Sequence, residues 1–390
     1  MDRTVRETGA PATAGELLRL IRTGRASTRS DLRRLTGLSR TAVVARVDAL
    51  IDAGLLHVGQ ELASTGGRPP GALVFDRSAG VVLAVAIGRS RSQLAVLDLD
   101  GAELAADSED HEVGTGPDAV MPRIAERLRD LLDAIEAPVK GVGLSLPGTV
   151  DPERGLSVDS PVIGHWGGVE LAPYLEAVTD APLFVGNDAD VLARSELLAD
   201  PSLRDALVVK ASTGLGLGVI AGGQVVSGHR GAAGEIGHTS VPAGEGLRCR
   251  CGATGCLETV AGGWALVARL AEGGRELPHV RDLVRLALEG DPEARGLLRE
   301  SGRHVGELLA VAVNLLNPQA IVIGGDMAAA FDTYASGVRE TLYARSGPLA
   351  TRDLRIQPAA YADRAGVVGC GALALDHVLS PVAVDASLRT

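Results

Sequence analysis

Cysteine is scarce in this chain, with four in 390 residues, yet three of the four fall within eight consecutive positions, at Cys249, Cys251 and Cys256. His238 precedes them, and the run reads His-x10-Cys-x-Cys-x4-Cys. One imidazole and three thiolates form a soft donor set that suits tetrahedral Zn2+, and a site with four protein ligands is normally closed and structural. Any fold built around such a clamp must bring His238 and the cysteine loop to one point. Gly252 and Gly255 let the backbone turn tightly enough for Cys251 and Cys256 to face a common centre. The competing reading is three separately buried thiols, since unpaired Cys is often buried. The scarcity of Cys elsewhere and the compact spacing favour the metal. A disulfide is disfavoured, because nothing in the chain points to an oxidising compartment.

Charge is unevenly distributed. The chain carries a net −11, but residues 1–80 hold 12 Arg against 8 Asp and Glu, which is +4 and leaves −15 for the remainder. A basic N-terminal segment on an acidic body fits a small DNA reader attached to something that does not bind DNA. With 46% apolar and only 2% aromatic residues, the core must be built from Ala, Val, Leu and Ile. No apolar run approaches the roughly 18 residues a membrane span needs, and the N-terminus lacks an apolar signal region. The expected setting is the reducing cytoplasm, away from membranes.

Residues 1–76 read as a DNA-binding module. Leu17, Leu18, Leu20 and Ile21 share one face of a first helix ending near Gly24. Thr28-Arg29-Ser30-Asp31 has the form of a capping box and starts a second helix. Gly37 breaks the chain, and Ser39 is placed to cap a third helix from Arg40 to about Ala53. Helix, glycine-containing turn and capped helix is helix-turn-helix grammar. Leu55–Val58 and Ala72–Phe75 read as two short strands around a Gly66-Gly67-Arg68-Pro69-Pro70 tip, which adds a wing. Ser39, Arg40, Thr41 and Arg46 are then expected to face the major groove, and Arg68 to reach phosphate or the minor groove. A dimerisation arm with solvated arginines is the alternative.

After a linker at 77–80, residues 81–200 and 201–390 are expected to form two α/β lobes around a cleft, because three strands followed by alternating helix and strand occur twice. Asn187 and Asp188 sit at a strand-to-helix junction, where the helix dipole favours a carboxylate; a plain first-turn acid is the simpler reading. Ser212–Gly218 is a glycine-rich stretch that either lets backbone N–H groups approach a phosphate or merely turns tightly.

The block Gly234-Glu235-Ile236-Gly237-His238, followed by Cys-x-Cys-Gly-x-x-Gly-Cys-Leu-Glu to Glu258, resembles the signature of the ROK family (repressors, open reading frames and sugar kinases). Thr36-Gly37-Leu38-Ser39 and the Gly-Gly-Arg-Pro tip resemble the DNA-binding half of ROK repressors, which the family's kinases lack. The resemblance implies an actin-like ATPase body of two ribonuclease-H-like lobes behind a winged helix-turn-helix. It also implies a zinc motif abutting a sugar pocket. Asn187, Asp188, Glu235, His238 and Glu258 match the family's sugar contacts, and Asp188 matches the kinase base; Glu235 and Glu258 as merely solvated acids is the plainer alternative. Kinases of the family carry Asp-x-Gly-Gly-Thr after the first strand, where this chain has Ala86-Ile87-Gly88-Arg89-Ser90. The acid is missing and a bulky Arg89 replaces a glycine, so little remains to stabilise charge on a transferring phosphoryl group. Asp190, where kinases carry Asn, is a second departure. The expectation is a non-enzymatic, sugar-responsive transcriptional regulator, a repressor. It would bind operator DNA as a homodimer or homotetramer, with a sugar or sugar phosphate as effector. The alternatives are a sugar kinase with an appended DNA-binding domain and a regulator controlled by a protein partner.

Overall fold

The computed structural model describes residues 12–61, 71–112, 114–152, 154–159 and 165–389. The N-terminal module begins with helices α1 (Ala14–Arg22), α2 (Arg29–Thr36) and α3 (Arg40–Asp52). Thr13 with Glu16 and Thr28 with Asp31 close two capping boxes, and the Ser39 hydroxyl accepts the Ala42 N–H at the head of α3. Gly37 ends α2 in the left-handed region, at φ 73°, which a side chain would strain. Strands β1 (Leu56–Glu61) and β2 (Gly71–Phe75) pair antiparallel as the wing. Its tip, with Arg68, lies outside the described residues.

The first sheet contains β3 (Val81–Ile87), β4 (Arg91–Asp98), β5 (Glu103–Asp110), β6 (Val139–Leu146) and a later strand at Leu183–Asn187. Helix α4 (Pro117–Leu132) joins β5 to β6. A small three-stranded sheet of β7 (Thr149–Asp151), β8 (Leu156–Asp159) and β9 (Val169–Glu170) precedes that later strand, β10, and helix α5 (Asp188–Ala199) follows it. The order β10-β6-β3-β4-β5 has β3, β4 and β5 antiparallel and β6 and β10 parallel to β3.

The second sheet repeats this plan. It comprises β11 (Ala206–Ala211), β12 (Leu215–Ala221), β13 (Gln224–Val225), β14 (Ala320–Gly324) and β15 (Arg355–Pro358), in the order β13-β12-β11-β14-β15. Again the first three strands are antiparallel and the last two parallel to the first. Between β13 and β14 run α6 (Glu258–Ala261), α7 (Gly263–Glu272), α8 (Val280–Glu289) and α9 (Pro292–Leu316). Between β14 and β15 come α10 (Phe331–Arg345) and α11 (Pro348–Thr351); α12 (Ala365–Val378) and α13 (Pro381–Ser387) close the chain.

Both central strands are covered on two faces, which is why β3 reads as an apolar run and β11 as one interrupted only by Lys210. On β3, Val81, Leu83, Val85 and Ile87 pack with Met121 and Ile124 of α4, while Val82 and Ala84 pack with Val367 and Cys370 of α12. On β11, Leu207 and Val209 face α7 to α10, and Val208 faces Leu192 and Ala193 of α5. Helices α5 and α12 therefore lie together between the sheets. Gly369 of α12 approaches so closely that a Cβ there would sit 1.8 Å from the Val191 carbonyl oxygen.

The last two helices, expected with residues 201–390, leave the second lobe. Helix α12 covers the first sheet, and α13 packs on α1, where the Gly15 N–H donates to Asp385 Oδ1 at 2.9 Å. Leu17, Leu32, Val47 and Leu73 of the N-terminal module belong to one continuous core with Leu375 and Val384. Each fully buried leucine contributes roughly 1.5–3 kcal/mol, so the module is fastened to the body by burial. Among the described residues no single helix is long and apolar enough to cross a membrane.

Candidate functional site

Two isolated bridges, Ser240 with Cys256 and Arg248 with Thr254, fold residues 238–258 into a compact knuckle. Within it the Cys249 N–H donates to the Ala253 carbonyl at 2.8 Å. Gly252 and Gly255 take φ of 90° and 88°, so the tight turns expected at both positions do use the left-handed region. The result brings one donor atom from each of His238, Cys249, Cys251 and Cys256 within 4.8 Å of the others. Cys249 Sγ lies 3.7 Å from His238 Nδ1, and Cys251 Sγ lies 3.7 Å from Cys256 Sγ. These four side chains could hold one metal ion. The second imidazole nitrogen, Nε2, is turned away toward Glu235 Oε2, 3.9 Å off.

Beside the knuckle the two lobes meet at the start of α5. Asn187 caps this helix: its Oδ1 accepts the Ala189 N–H at 2.8 Å and its Nδ2 donates to the Gly148 carbonyl at 2.9 Å. Asp188 is thus released from capping. Its Oδ2 lies 2.7 Å from the ammonium of Lys210 on β11. Burial pulls that ammonium down, but the charge of Asp188, with Asp326 and Glu258 behind it, outweighs burial and the net direction is up. Burial pushes the Glu235 carboxyl up; His238 opposes this, while Asp188, Glu258 and Asp190 add like-charge repulsion. Asp190 is itself buried and raised by desolvation. Glu258 is only 3% exposed, accepting the Leu215 N–H at 3.1 Å and the Trp264 indole N–H at 2.9 Å. The side chains expected in the cleft are therefore neighbours in space, and their charges are felt by one another.

The glycine-rich stretch divides. Ser212–Gly214 forms a turn, and the Ser212 hydroxyl bonds to Asp326. Gly216 and Gly218 instead lie in β12; a Cβ on Gly218 would sit 2.6 Å from the Ala189 carbonyl oxygen. Those two glycines admit α5 against the strand. In the N-terminal module Ser39, Arg40 and Thr41 are exposed at the head of α3, whereas Arg46 is half-buried and its Nη1 donates to the Ala42 carbonyl at 3.1 Å.

Sequence reasoning passed over Lys210, Arg250 and Trp264. A signal for the first existed: Lys140 and Lys210 are the chain's two lysines, and Lys210 interrupts an apolar strand.

Residues 82–377 match the family model described as the ROK family. The chain belongs to the ROK family. Over 302 residues, covering 71% of each chain, it is 33% identical to the DNA-binding transcriptional dual regulator NagC of Escherichia coli. A crystal structure of a ROK family transcriptional regulator, a homolog of the E. coli Mlc protein, superposes with a TM-score of 0.81 at 27% identity, covering 97% of this chain and 98% of that one. A ROK family glucokinase from Streptomyces griseus, solved with glucose and AMPPNP, gives a TM-score of 0.65 at 26% identity, covering 99% of its own length but 76% of this chain. The body has the two-lobed, actin-like ROK fold, and the likeness to the regulator extends over nearly the whole chain.

Proposed function

We propose that this ROK protein is a sugar-responsive transcriptional repressor that senses a carbohydrate and does not transform it. The observation that carries this reading is the joining, through one continuous core, of a helix-turn-helix with an exposed head of α3 to a cleft lined by Asp188, Glu235 and His238. Carboxylates and an imidazole set close together suit the adjacent hydroxyls of a sugar. The working form is a cytoplasmic homodimer or homotetramer whose paired modules read operator half-sites with Ser39, Arg40 and Thr41, and with Arg68 on the wing.

Zinc is the metal that fits the knuckle. The 3.7 Å separation of Cys251 and Cys256 sulfurs is close to the edge of a tetrahedron, about 3.8 Å, built on Zn–S bonds of about 2.3 Å. Bound there through His238 Nδ1 and the three thiolates, it would brace the pocket structurally. His238 Nε2 then remains for a sugar hydroxyl, its orientation set by the metal on the other nitrogen. Asn187 is fixed at both ends of its amide and positions Asp188, which with Glu235 accepts hydroxyl hydrogens.

Catalysis is disfavoured on two counts. The first-strand loop has Ala86 in place of an acid and Arg89 in place of a glycine. Asp188, at the kinase base position, is already engaged by the Lys210 ammonium at 2.7 Å, a contact that a hydroxyl awaiting deprotonation would have to share. Sugar binding at the head of α5 is relayed by the packing of α5 on α12, α13 on α1, and so to α3. A coupling of roughly 1–3 kcal/mol, or about 5–150-fold in operator affinity, is the usual scale for such population shifts.

The test is a thermal-shift and operator-binding series with glucose, N-acetylglucosamine and xylose. At least one sugar should raise the melting temperature and weaken operator binding together; no response to any carbohydrate would remove the sugar from the account. The second reading, a kinase with an appended reader, is favoured by Asn187-Asp188 and is separated by assaying phosphoryl transfer from ATP.

A further inference from the structure

Only two of the chain's 38 basic residues are lysines, and one of them, Lys210, stands near the C-terminal end of β11. Lysine differs from arginine in carrying a compact point charge on a slender stem, which fits where a planar fork does not. The sheet is built to admit that stem. Its register sets Gly216 of β12 on one side of Lys210 and Gly324 of β14 on the other, and side chains at paired positions share a face. Helix α5 lies on that face: a Cβ on Gly216 would sit 2.9 Å from the Ala189 Cβ, and one on Gly324 2.9 Å from Leu192 Cδ2. Two bare positions thus bring the head of α5 down onto β11, and Asp188 arrives 2.7 Å from the ammonium.

Two further carboxylates act on the same ammonium, Asp326 and Glu258. Asp326 accepts the Ser212 hydroxyl, and Glu258 accepts two N–H groups and lies 3.7 Å from Arg250. Carboxylates gathered in a partly dry cleft need a cation, from the chain or from solution. Here the chain supplies it. The Lys210 and Asp188 side chains are 25% and 17% exposed, so solvent screens the pair weakly while a ligand can still reach it. Among the described residues each is the other's one ion-pair partner. An ammonium has three donors and a carboxylate two acceptor oxygens, so the pair shows a spare donor beside a spare acceptor. A hydroxyl, donor and acceptor at once, satisfies both with charge-assisted bonds. A carboxylate on the ligand would be repelled by Asp326 and Glu258.

We infer that Lys210 is the built-in counter-ion of the cleft and a further ligand-binding residue: its ammonium balances Asp188, Asp326 and Glu258 with no ion taken from solution, and it donates to the same sugar hydroxyl whose hydrogen Asp188 accepts. This rests on the sugar reading above and deepens it. A tethered cation pays no entropy of capture, so sugar binding is independent of dissolved divalent cations. It also joins the lobes, because Lys210 belongs to the second sheet while α5, which carries Asp188, follows the last strand of the first. A hydroxyl bound across the pair therefore touches both lobes at once.

Calorimetry on the full chain tests this, with whichever of glucose, N-acetylglucosamine and xylose binds most tightly. Lys210→Ala should weaken that sugar about tenfold or more, the usual scale for losing a charge-assisted bond. Propylammonium, which replaces the deleted stem and its charge, should restore a large part of the affinity; tetramethylammonium at the same concentration, with no N–H, should not. Rescue of this kind separates a role in binding from a role in folding. In the unaltered chain, added Mg2+ should leave sugar affinity unchanged, a result that stands even where the variant does not fold. Full affinity in Lys210→Ala, equal restoration by both ammonium ions, or a requirement for Mg2+ in the unaltered chain each overturns the role of Lys210 and leaves the sugar reading standing. No binding of any of the three sugars by the unaltered chain overturns the sugar reading itself, and this inference with it.

Discussion

In the cleft, three of the expected side chains already have partners: Asp188 holds Lys210 at 2.7 Å, Asn187 is bonded through both ends of its amide, and Glu258 accepts two N–H groups while 3% exposed. At the head of α3 the situation is reversed. The Ser39 hydroxyl accepts the Ala42 N–H, but Arg40 and Thr41 are exposed, and among the described residues no hydrogen bond or ion pair holds their side chains. The contrast follows from the two ligands. A small molecule can supply only a few contacts, so its site must be ordered beforehand, or the entropy of ordering long side chains consumes the binding energy. DNA brings its own dense array of acceptors, and exposed arginines order against it on arrival. A variant in one region should accordingly leave the other's binding intact unless it strikes the core that joins them.

The largest effect is expected from Cys251→Ser. Removing one of four ligands should weaken metal retention by more than about 100-fold, read as loss of the bound equivalent by metal analysis, with sugar response lost and the wing and α3 still folded. A full equivalent retained by that variant would show that Cys251 is not a ligand. Next comes Asp188→Asn, which takes a charged acceptor from the cleft and should reduce sugar affinity about 10- to 100-fold in calorimetry, with unchanged operator binding in the absence of sugar. Unaltered affinity would reduce Asp188 to a partner for Lys210. Arg40→Ala works on the other side. Loss of one base or phosphate contact should cost operator binding about tenfold in a footprinting titration, and sugar affinity should stay put. The smallest change is expected from Gly15→Ala. A Cβ there would meet the Pro381 carbonyl oxygen at 2.3 Å, and relief of that overlap costs about 1–3 kcal/mol. The melting temperature should drop by a few degrees and the sugar's effect on operator binding should shrink, although each ligand alone binds as before. A full sugar response in this variant would place the relay elsewhere than α13 and α1.

What the sequence disclosed was local. The His–Cys knuckle was legible because three cysteines fall within eight residues and two glycines mark its turns. The helices of the N-terminal module were legible because Thr28 with Asp31, and Ser39, are short-range caps. β3 and β11 announced themselves as apolar runs because helices cover both their faces. What escaped was set by distant partners. Lys210 was passed over because its partner, Asp188 at the head of α5, belongs to the preceding lobe and meets it only in the folded chain. Gly216 and Gly218 offered either a phosphate loop or a tight turn, and neither reading contained the passage of α5 across β12 that needs both glycines. The return of α12 and α13 to the first sheet and to α1 could not be read from residues 365–387, since an apolar helix pattern does not name the surface it covers.

The central claim is that this cleft retains carbohydrate and does not phosphorylate it. The direct measurement is phosphoryl transfer from Mg-ATP to glucose, N-acetylglucosamine and xylose by the metal-loaded full chain, run at the sugar concentrations that stabilise it against heat. The expected result is thermal stabilisation with no product above the protein-free background. Sustained turnover with any of these sugars would contradict the claim and return Asp188 to the role of a catalytic base.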